Sequence, residues 1–216
     1  MKNYEVEQCS FFDLDGTIST SKLNNTFDFI ENYYTYKKMR RAIVKKYALT
    51  VLSRLLPVGG TKRRKMLINS FFGGLDANDL DNYCRCCYLP IFRSRLNRPV
   101  LERIKEEKEK GKRIVMLTAC TEIPARILAE ELGLDECIPT TFNIVDGRIM
   151  GISEDTFNDL KIDALERRDY PKMLLKGSDY YVDDTEAEVG IITLFGRVFQ
   201  VDDASIVEVG SEYSDR

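Results

Sequence analysis

Apolar positions along the chain change their spacing near Gly111. From about Thr26 to Ser94 they recur at helical spacing, and the breaks fall at proline and glycine positions, which predicts several short helices. Two sets recur on one helical face, namely Phe27, Ile30 and Tyr34, and then Ile43, Tyr47, Val51 and Leu55. After Gly111, short apolar runs alternate with helical segments. This alternation predicts a parallel sheet with helices on both faces.

Seven short apolar runs predict strands. They are Gln8–Asp13, Arg113–Thr118, Phe142–Val145, Arg148–Met150, Asp179–Val182, Ile191–Phe195 and Val198–Val201. Helices are predicted at Glu122–Leu132 and Lys161–Arg167. The predicted fold class is therefore α/β, a Rossmann-like parallel sheet with an α-helical insertion after the first strand. We interpret residues 1–18 and 96–216 as the core and residues 19–95 as the insertion.

Polar clusters follow three of the predicted strands. Asp13 and Asp15 follow the first, Thr118-Ala119-Cys120 the second, and Asp183-Asp184 a later one. Because the carboxyl ends of parallel strands line the ligand crevice of an open sheet, we expect these clusters to converge. Three converging carboxylates would repel one another, which favours a hard, oxygen-seeking cation such as Mg²⁺.

These motifs resemble those of the haloacid dehalogenase superfamily. The run Phe11-Phe12-Asp13-Leu14-Asp15-Gly16-Thr17 is similar to its first motif, an apolar strand followed by D-x-D-G-T. Leu117-Thr118-Ala119 resembles the second motif, Lys161 the third and Val182-Asp183-Asp184 the fourth. A helical insertion after the first motif, and the stretch Leu117–Gly133, resemble the subgroup with a C1-type cap that includes phosphoserine phosphatase-like hydrolases.

The resemblance implies a phosphatase and a role for each matching residue. Asp13 would be the nucleophile that forms an aspartyl-phosphate, and Asp15 the general acid and base. Thr118 and the amides that follow it, at Ala119 and Cys120, would hold phosphate oxygens near a helix N-terminus. Lys161 would neutralise charge on Asp13 and the phosphoryl group, and Lys176 is a second candidate for that role.

The same resemblance implies a Mg²⁺ site formed by Asp13, Asp183 and the backbone carbonyl of Asp15. Asp184 would lie in the outer shell. The family usually carries another acid four residues after the metal-binding one, where this chain has Ala187 followed by Glu188. The alternatives for completing the shell are Asp184, Glu188 and water.

The resemblance also bears on the substrate. Phosphoserine phosphatases have a cap glutamate that binds the substrate amine, and near that position this chain has Lys22. A lysine disfavours an ammonium group, so phosphoserine is an unfavoured substrate.

Composition excludes several other chemistries. The chain has no histidine, so Ser-His-Asp triads, Cys-His pairs and His-ligated zinc are ruled out.

The charge is unevenly distributed. The net charge is −3, yet residues 37–65 contain eleven basic residues and no acid, which indicates either a solvated face or a surface for anions. Six cysteines in a chain without a signal-like segment are expected to be reduced, and Cys84, Cys86 and Cys87 are expected to pack in the cap rather than bind a soft metal.

The location and partners follow from the same reasoning. No apolar run approaches the length of a membrane span, and the N-terminal residues lack the apolar region of a signal peptide, so we expect a cytoplasmic protein. The expected partner is a small phosphorylated substrate, and nucleic acid is not expected because no nucleic-acid motif accompanies the basic segment.

Three functions remain open from the sequence. The first is a Mg²⁺-dependent phosphatase that acts on a small anionic metabolite selected by the basic cap. The second is a phosphatase for a lipid phosphate at an anionic membrane, contacted through Lys37, Arg41 and Lys45 near Tyr33, Tyr34 and Tyr36. The third is a binding module that uses the basic cap without turnover.

Overall fold

The computed structural model describes residues 8–20, 25–55 and 57–209. Its strands are β1 (Cys9–Phe12), β2 (Arg113–Thr121), β3 (Glu136–Val145), β4 (Arg148–Glu154), β5 (Asp179–Val182), β6 (Arg197–Val201) and β7 (Ile206–Val209). They form one sheet in the order β4-β3-β2-β1-β5-β6-β7. The five central strands are parallel, whereas β4 and β7 pair antiparallel at the two edges. The predicted parallel sheet is therefore confirmed.

The helices follow in two groups. Between β1 and β2 lie α1 (Asn25–Tyr36), α2 (Arg40–Leu55), α3 (Gly60–Phe72), α4 (Ala77–Tyr83), a π-helical turn (Cys84–Tyr88) and α5 (Leu89–Arg93). The remaining helices are α6 (Arg98–Glu109), α7 (Glu122–Glu131), α8 (Leu160–Glu166), α9 (Lys172–Lys176) and α10 (Val189–Ile192). The helical insertion after the first strand is confirmed. Its division from the core at residues 18/19 and 95/96 stays a prediction.

The sheet is buried on both faces because successive strand residues point in opposite directions. Phe12 and Tyr181 stack at 4.2 Å on the face covered by α6, α7 and the inserted helices. Phe11 and Tyr180 lie on the opposite face, where Tyr180 stacks on Phe195 at 4.7 Å beneath α8, α9 and α10. The two apolar layers hold the strand ends in register, and those ends carry the polar residues considered below.

One predicted strand is wrong. Ile191–Phe195 was expected to be extended, but Val189–Ile192 form α10 and the following residues form turns. Ile191, Ile192 and Phe195 are all buried on the face of the sheet that carries Tyr180. A short apolar run of this length does not distinguish a buried strand from a buried helical turn, so burial was predicted correctly and conformation was not.

Two of the three tyrosines expected at a membrane surface are in the core. Tyr33 and Tyr34 are 3% and 5% exposed, whereas Tyr36 is 55% exposed. The Tyr33 hydroxyl donates to Asp79 at 2.6 Å, and the Tyr34 hydroxyl donates to the carbonyl oxygen of Phe71. Hydrogen bonds and packing therefore hold Tyr33 and Tyr34 inside the helical insertion, and membrane contact through the remaining residues stays a prediction.

Two further findings concern the helices and the cysteines. Among the described helices none has the length and apolarity needed to cross a membrane. None of the six cysteines, all of which lie in the described part, forms a disulfide.

Candidate active site

The end of β1 turns sharply and leaves its carboxylates at the edge of the sheet. The Asp13 amide donates to the Tyr181 carbonyl oxygen at 2.9 Å, which extends the pairing of β1 with β5 by one residue. Gly16 follows at φ +79°, a left-handed conformation that favours glycine. The turn closes when the Ser19 amide donates to the Leu14 carbonyl oxygen at 3.0 Å. Asp13 and Asp15 consequently remain on the rim of the sheet.

A cavity of about 660 Å³ opens at this rim. The carboxyl ends of β1, β5 and β6, one residue of β2 and the beginning of α8 line it. The acidic residues of the lining are Asp13, Asp15, Asp183, Asp184, Glu188, Asp202 and Asp203. Lys161 is the one basic residue among the described residues of the lining. The clusters predicted to converge at Asp13, Asp15, Ala119, Asp183 and Asp184 do share one cavity.

Lys161 reaches the cavity from α8 and is almost completely buried. Its ammonium donates to Asp13 Oδ1 at 3.0 Å, to the Tyr180 hydroxyl at 3.0 Å and to Glu188 Oε1. The Tyr180 hydroxyl in turn donates to Glu188 Oε2. Lys176, the other candidate, donates to the Thr193 carbonyl oxygen at 2.8 Å and is absent from the cavity lining. The lysine beside Asp13 is therefore Lys161.

Burial and charge set the ionisation of this cluster. Burial raises the pKa of Asp13 to about 7; the ion pair with Lys161 lowers it, whereas Glu188 and Asp15 add to the increase. Burial alone would lower the pKa of Lys161, but Asp13 and Glu188 raise it well above its usual range. Burial, together with Glu188, also raises the pKa of Tyr180. Lys161 is thus a fixed cation, and Tyr180 stays neutral and donates its proton to a hydrogen bond.

Asp15 is oriented by Asn25, the first residue of α1. Its Oδ1 accepts a hydrogen bond from the Asn25 amide at 3.1 Å and another from Asn25 Nδ2. Burial raises the pKa of Asp15 to about 6, although the bonds from Asn25 and the charge of Arg64 oppose the increase. A carboxyl group that titrates near neutrality is suited to both donating and accepting a proton.

Asp183 follows β5 and lies directly against the turn at Gly16. A Cβ atom at Gly16 would overlap the Asp183 carboxylate, so only glycine leaves room for it. Burial raises the pKa of Asp183. Asp184 is exposed, and its Oδ1 accepts a hydrogen bond from the Ala187 amide at 2.9 Å. Asp184 therefore stabilises the loop after β5.

The cavity offers oxygen donors suited to a hard cation. In the part of the chain that the structure describes, no three Asp, Glu, Cys or His side chains converge to form a complete metal site. Two carboxylates, Asp13 and Asp183, with the Asp15 carbonyl would leave further positions for water and substrate, which is the arrangement typical of Mg²⁺. Glu188, an alternative ligand, accepts hydrogen bonds on both oxygens from Lys161 and Tyr180, which favours Asp184 or water in the remaining positions, and the completion of the shell stays a prediction.

The second predicted cluster is only partly exposed to the cavity. Thr118 and Cys120 are fully buried, and Thr118 Oγ1 accepts a hydrogen bond from the Cys120 amide at 3.0 Å. Ala119 lies between them and lines the cavity. Burial raises the pKa of the Cys120 thiol well above its usual range, so this thiol stays protonated. Lys22, also predicted for substrate contact, lies outside the described residues.

Four residues at the site were not predicted. Tyr180 and Asn25 have no recognisable pattern in the sequence, and Glu188 was considered only as a metal ligand. Arg64 of α3 is buried; it pairs with Asp155 at 2.8 Å and donates to the Ala119 carbonyl oxygen. In the sequence it is one member of the basic run Lys62–Lys65, so nothing there distinguishes it from exposed neighbours.

Comparisons with known proteins agree with this geometry. A family model described as haloacid dehalogenase-like hydrolase matches residues 10–203. No curated protein matches the chain.

Solved structures resemble the chain at low sequence identity. A protein of unknown function from Bordetella pertussis Tohama I is 16% identical with a TM-score of 0.64, covering 82% of each chain. A phospho-aspartyl intermediate analogue of phosphoserine phosphatase is 16% identical with a TM-score of 0.54, covering 89% of this chain and 85% of the other. A phosphoserine phosphohydrolase-like protein from Francisella tularensis is 14% identical with a TM-score of 0.57, covering 88% and 85%. These likenesses establish the fold.

Proposed function

Because the chain belongs to the family of haloacid dehalogenase-like hydrolases, we propose that it is a Mg²⁺-dependent phosphatase that hydrolyses phosphomonoesters through an aspartyl-phosphate. The observation that carries this proposal is the ammonium of Lys161, 3.0 Å from Asp13 Oδ1, in a cavity shared with Asp15. A buried cation beside a buried carboxylate is the electrostatic environment that attack on a phosphoryl group requires.

The proposed reaction proceeds in two displacements. An oxygen of Asp13 attacks phosphorus, the ester oxygen leaves, and Asp15 donates a proton to the departing alcohol. Asp15 then removes a proton from water, the water oxygen attacks phosphorus, and inorganic phosphate leaves with Asp13 restored. Lys161 remains charged throughout and stabilises the additional negative charge on the phosphoryl oxygens.

The residues that would hold Mg²⁺ are Asp13, Asp183 and, through its backbone carbonyl, Asp15. When bound, the ion supplies positive charge to phosphate oxygens that would otherwise be repelled by the acidic lining. Gly16 leaves space for the Asp183 carboxylate, and Asp184 holds the loop that carries it.

The substrate class is a small phosphomonoester. Resemblance to phosphoserine phosphatase structures and the size of the cavity support this class. The basic segment 37–65 contributes none of the described residues that line the cavity, so this geometry does not support selection of an anionic substrate by that segment. The substrate's own phosphate is the anion that Lys161 is placed to receive.

Metal-dependent hydrolysis is the direct test. The purified protein is expected to release p-nitrophenol from p-nitrophenyl phosphate in the presence of Mg²⁺, to lose this activity after chelation, and to regain it when Mg²⁺ is restored. Release is followed by absorbance. Failure of the folded, Mg²⁺-loaded protein to hydrolyse both this ester and a broad panel of phosphorylated metabolites would contradict the proposal.

We further expect Glu188→Gln to lower kcat on the order of tenfold with little change in KM. Glutamine removes the negative charge that holds Lys161. It also replaces one of the two accepting carboxylate oxygens by an NH2 group, which cannot accept a hydrogen bond from Lys161 or Tyr180. Tyr180→Phe should have a smaller effect in the same direction, since the ring keeps its stacking on Phe195. Steady-state kinetics on p-nitrophenyl phosphate measure both.

The matched control is Glu186→Gln, an exposed carboxylate two residues from Glu188. It should leave kcat unchanged. Equal kcat values for the Glu188 and Glu186 variants would show that Lys161 needs no positioning by Glu188.

A further inference from the structure

Helix α2 carries much of its apolar surface on the outside of the protein. Val44, Tyr47, Val51 and Leu55 are 68%, 53%, 62% and 76% exposed. Their spacing of three, four and four residues places them on one side of the helix, here called the α2 stripe. The sequence pattern would ordinarily turn such a stripe toward a core.

The inward side of α2 combines apolar and polar residues. Ala42, Ile43 and Leu49 are half-buried and pack against the core. Lys46 is buried, and its ammonium donates to the Phe27 carbonyl oxygen at 3.2 Å and to the carboxylate of Glu31. Ser53 is also buried and donates to the Thr50 carbonyl oxygen at 2.8 Å. Because these polar groups are satisfied where they lie, the orientation of α2 is specified. Within the stripe, the Tyr47 hydroxyl donates to Glu31 Oε1 at 2.5 Å, whereas the apolar side chains of Val44, Val51 and Leu55 stay exposed.

Exposed basic residues surround the stripe. Arg41 and Lys45 lie along one side of it, and Arg40 and Arg54 lie near its two ends. No acidic residue occurs anywhere in residues 37–65. An apolar stripe bordered by cations on long, flexible stems is typical of a helix that lies in the interface of an anionic bilayer, where the stems reach the lipid phosphates.

Other occupants fit this surface less well. A symmetric pair of chains joined through the stripe would bring the same arginines and lysines together, which is repulsive. Nucleic acid would satisfy the cations but would leave the valines and leucine exposed to water. We propose that the α2 stripe docks on the surface of a membrane that contains anionic phospholipid.

Helix α2 is linked to the cavity through its neighbour α3. Helix α3 packs beside α2, and Arg64 of α3 donates to the carbonyl oxygen of Ala119, a cavity residue at the end of β2. This inference goes beyond the proposed phosphatase activity and does not depend on it.

The test is sedimentation of the full chain with vesicles of equal parts phosphatidylcholine and phosphatidylglycerol, compared with pure phosphatidylcholine. We expect binding to the anionic vesicles only, weakened by high salt. The triple variant Val44→Ser, Val51→Ser, Leu55→Ser should bind at least about tenfold more weakly. The double variant Arg41→Gln, Lys45→Gln should also lose about tenfold or more.

Each variant has a matched control at exposed positions elsewhere. Met150→Ser, Met173→Ser and Val207→Ser together remove three comparably exposed apolar side chains, and Lys105→Gln with Lys172→Gln removes two exposed cations. Both controls should bind like the natural protein. If the triple serine variant fails to fold, the charge variants and their control decide the question.

Three results would overturn the proposal. The first is no binding to anionic vesicles, and the second is an equal loss of binding in a variant and its control. The third is that the natural protein is a dimer and the triple serine variant is a monomer, which would identify a second copy as the occupant. Hydrolysis of soluble p-nitrophenyl phosphate, measured in parallel, keeps this test separate from the phosphatase proposal. All α2 variants should retain that activity.

Discussion

Asp13→Asn is expected to abolish phosphatase activity, with kcat/KM for p-nitrophenyl phosphate falling by at least about 10³-fold. An amide oxygen is a poor nucleophile toward phosphorus, and the neutral side chain no longer pairs with the ammonium of Lys161. Continuous absorbance assays with Mg²⁺, over substrate concentrations below and above KM, measure the loss.

The same substitution should not destabilise the fold. Burial raises the pKa of Asp13 from 3.8 to about 7, so stability is lost as the pH rises between these two values, and the loss is complete above about pH 7. Asparagine is close in shape and stays neutral at every pH. In metal-free buffer at about pH 8, where native Asp13 is charged, the melting temperature of the variant should equal or exceed that of the natural protein. Thermal denaturation followed by circular dichroism measures this.

Asp203→Asn provides the control, since Asp203 lines the same cavity without touching Lys161. It should remain active within a few fold. An active Asp13→Asn protein, or equal losses in the two variants, would mean that Asp13 is not the nucleophile.

The sequence predicted the edge of the sheet more reliably than the interior of the site. Asp13 and Asp183 were found because each follows a run of buried strand residues, and parallel strands necessarily bring such ends together. Lys161 could be named but not distinguished from Lys176, because the choice depends on how α8 packs against the sheet. Only the structure shows that one ammonium reaches Asp13 and the other reaches the Thr193 carbonyl.

Glu188 shows a second limit of prediction from the sequence. The sequence indicates only that an acid lies one position later than expected, next to Ala187. Helix α10 begins one residue after Glu188, and the local turn directs its carboxylate to Lys161 and Tyr180. A shift of one residue changes the direction of a side chain completely, so a neighbouring acid does not inherit the role of the missing one.

Helix α2 shows why periodicity alone does not determine which face is buried. Spacing predicted that Ile43, Tyr47, Val51 and Leu55 share one side of a helix. In the structure Ile43 is half-buried against the core and the other three are exposed. Which side faces inward was decided by tertiary interactions, since Lys46 contacts Glu31 and the Phe27 carbonyl on the inner side.

The second large effect is expected for Gly16→Ala, which should reduce turnover at least about a hundredfold and weaken activation by Mg²⁺. Gly16 lies at φ +79°, and a Cβ atom there would overlap the Asp183 carboxylate. Alanine must therefore either displace the Asp183 carboxylate from its place against the Gly16 turn or shift the turn that carries Asp13 and Asp15. Titration of activity with Mg²⁺ measures both effects.

Gly74→Ala separates the steric effect from backbone strain. Gly74 has φ +81°, almost the same as Gly16, but no atom lies within 4 Å of a Cβ atom built there. Both substitutions carry a conformational cost of about 1 kcal/mol, so both should lower the melting temperature, and Gly16→Ala should lower it further because of the overlap with Asp183. Only the variant at Gly16 should lose turnover and Mg²⁺ response. If the two variants keep equal activity, the close approach of Asp183 to the Gly16 turn is not required for catalysis, and the predicted metal site must be formed by other groups.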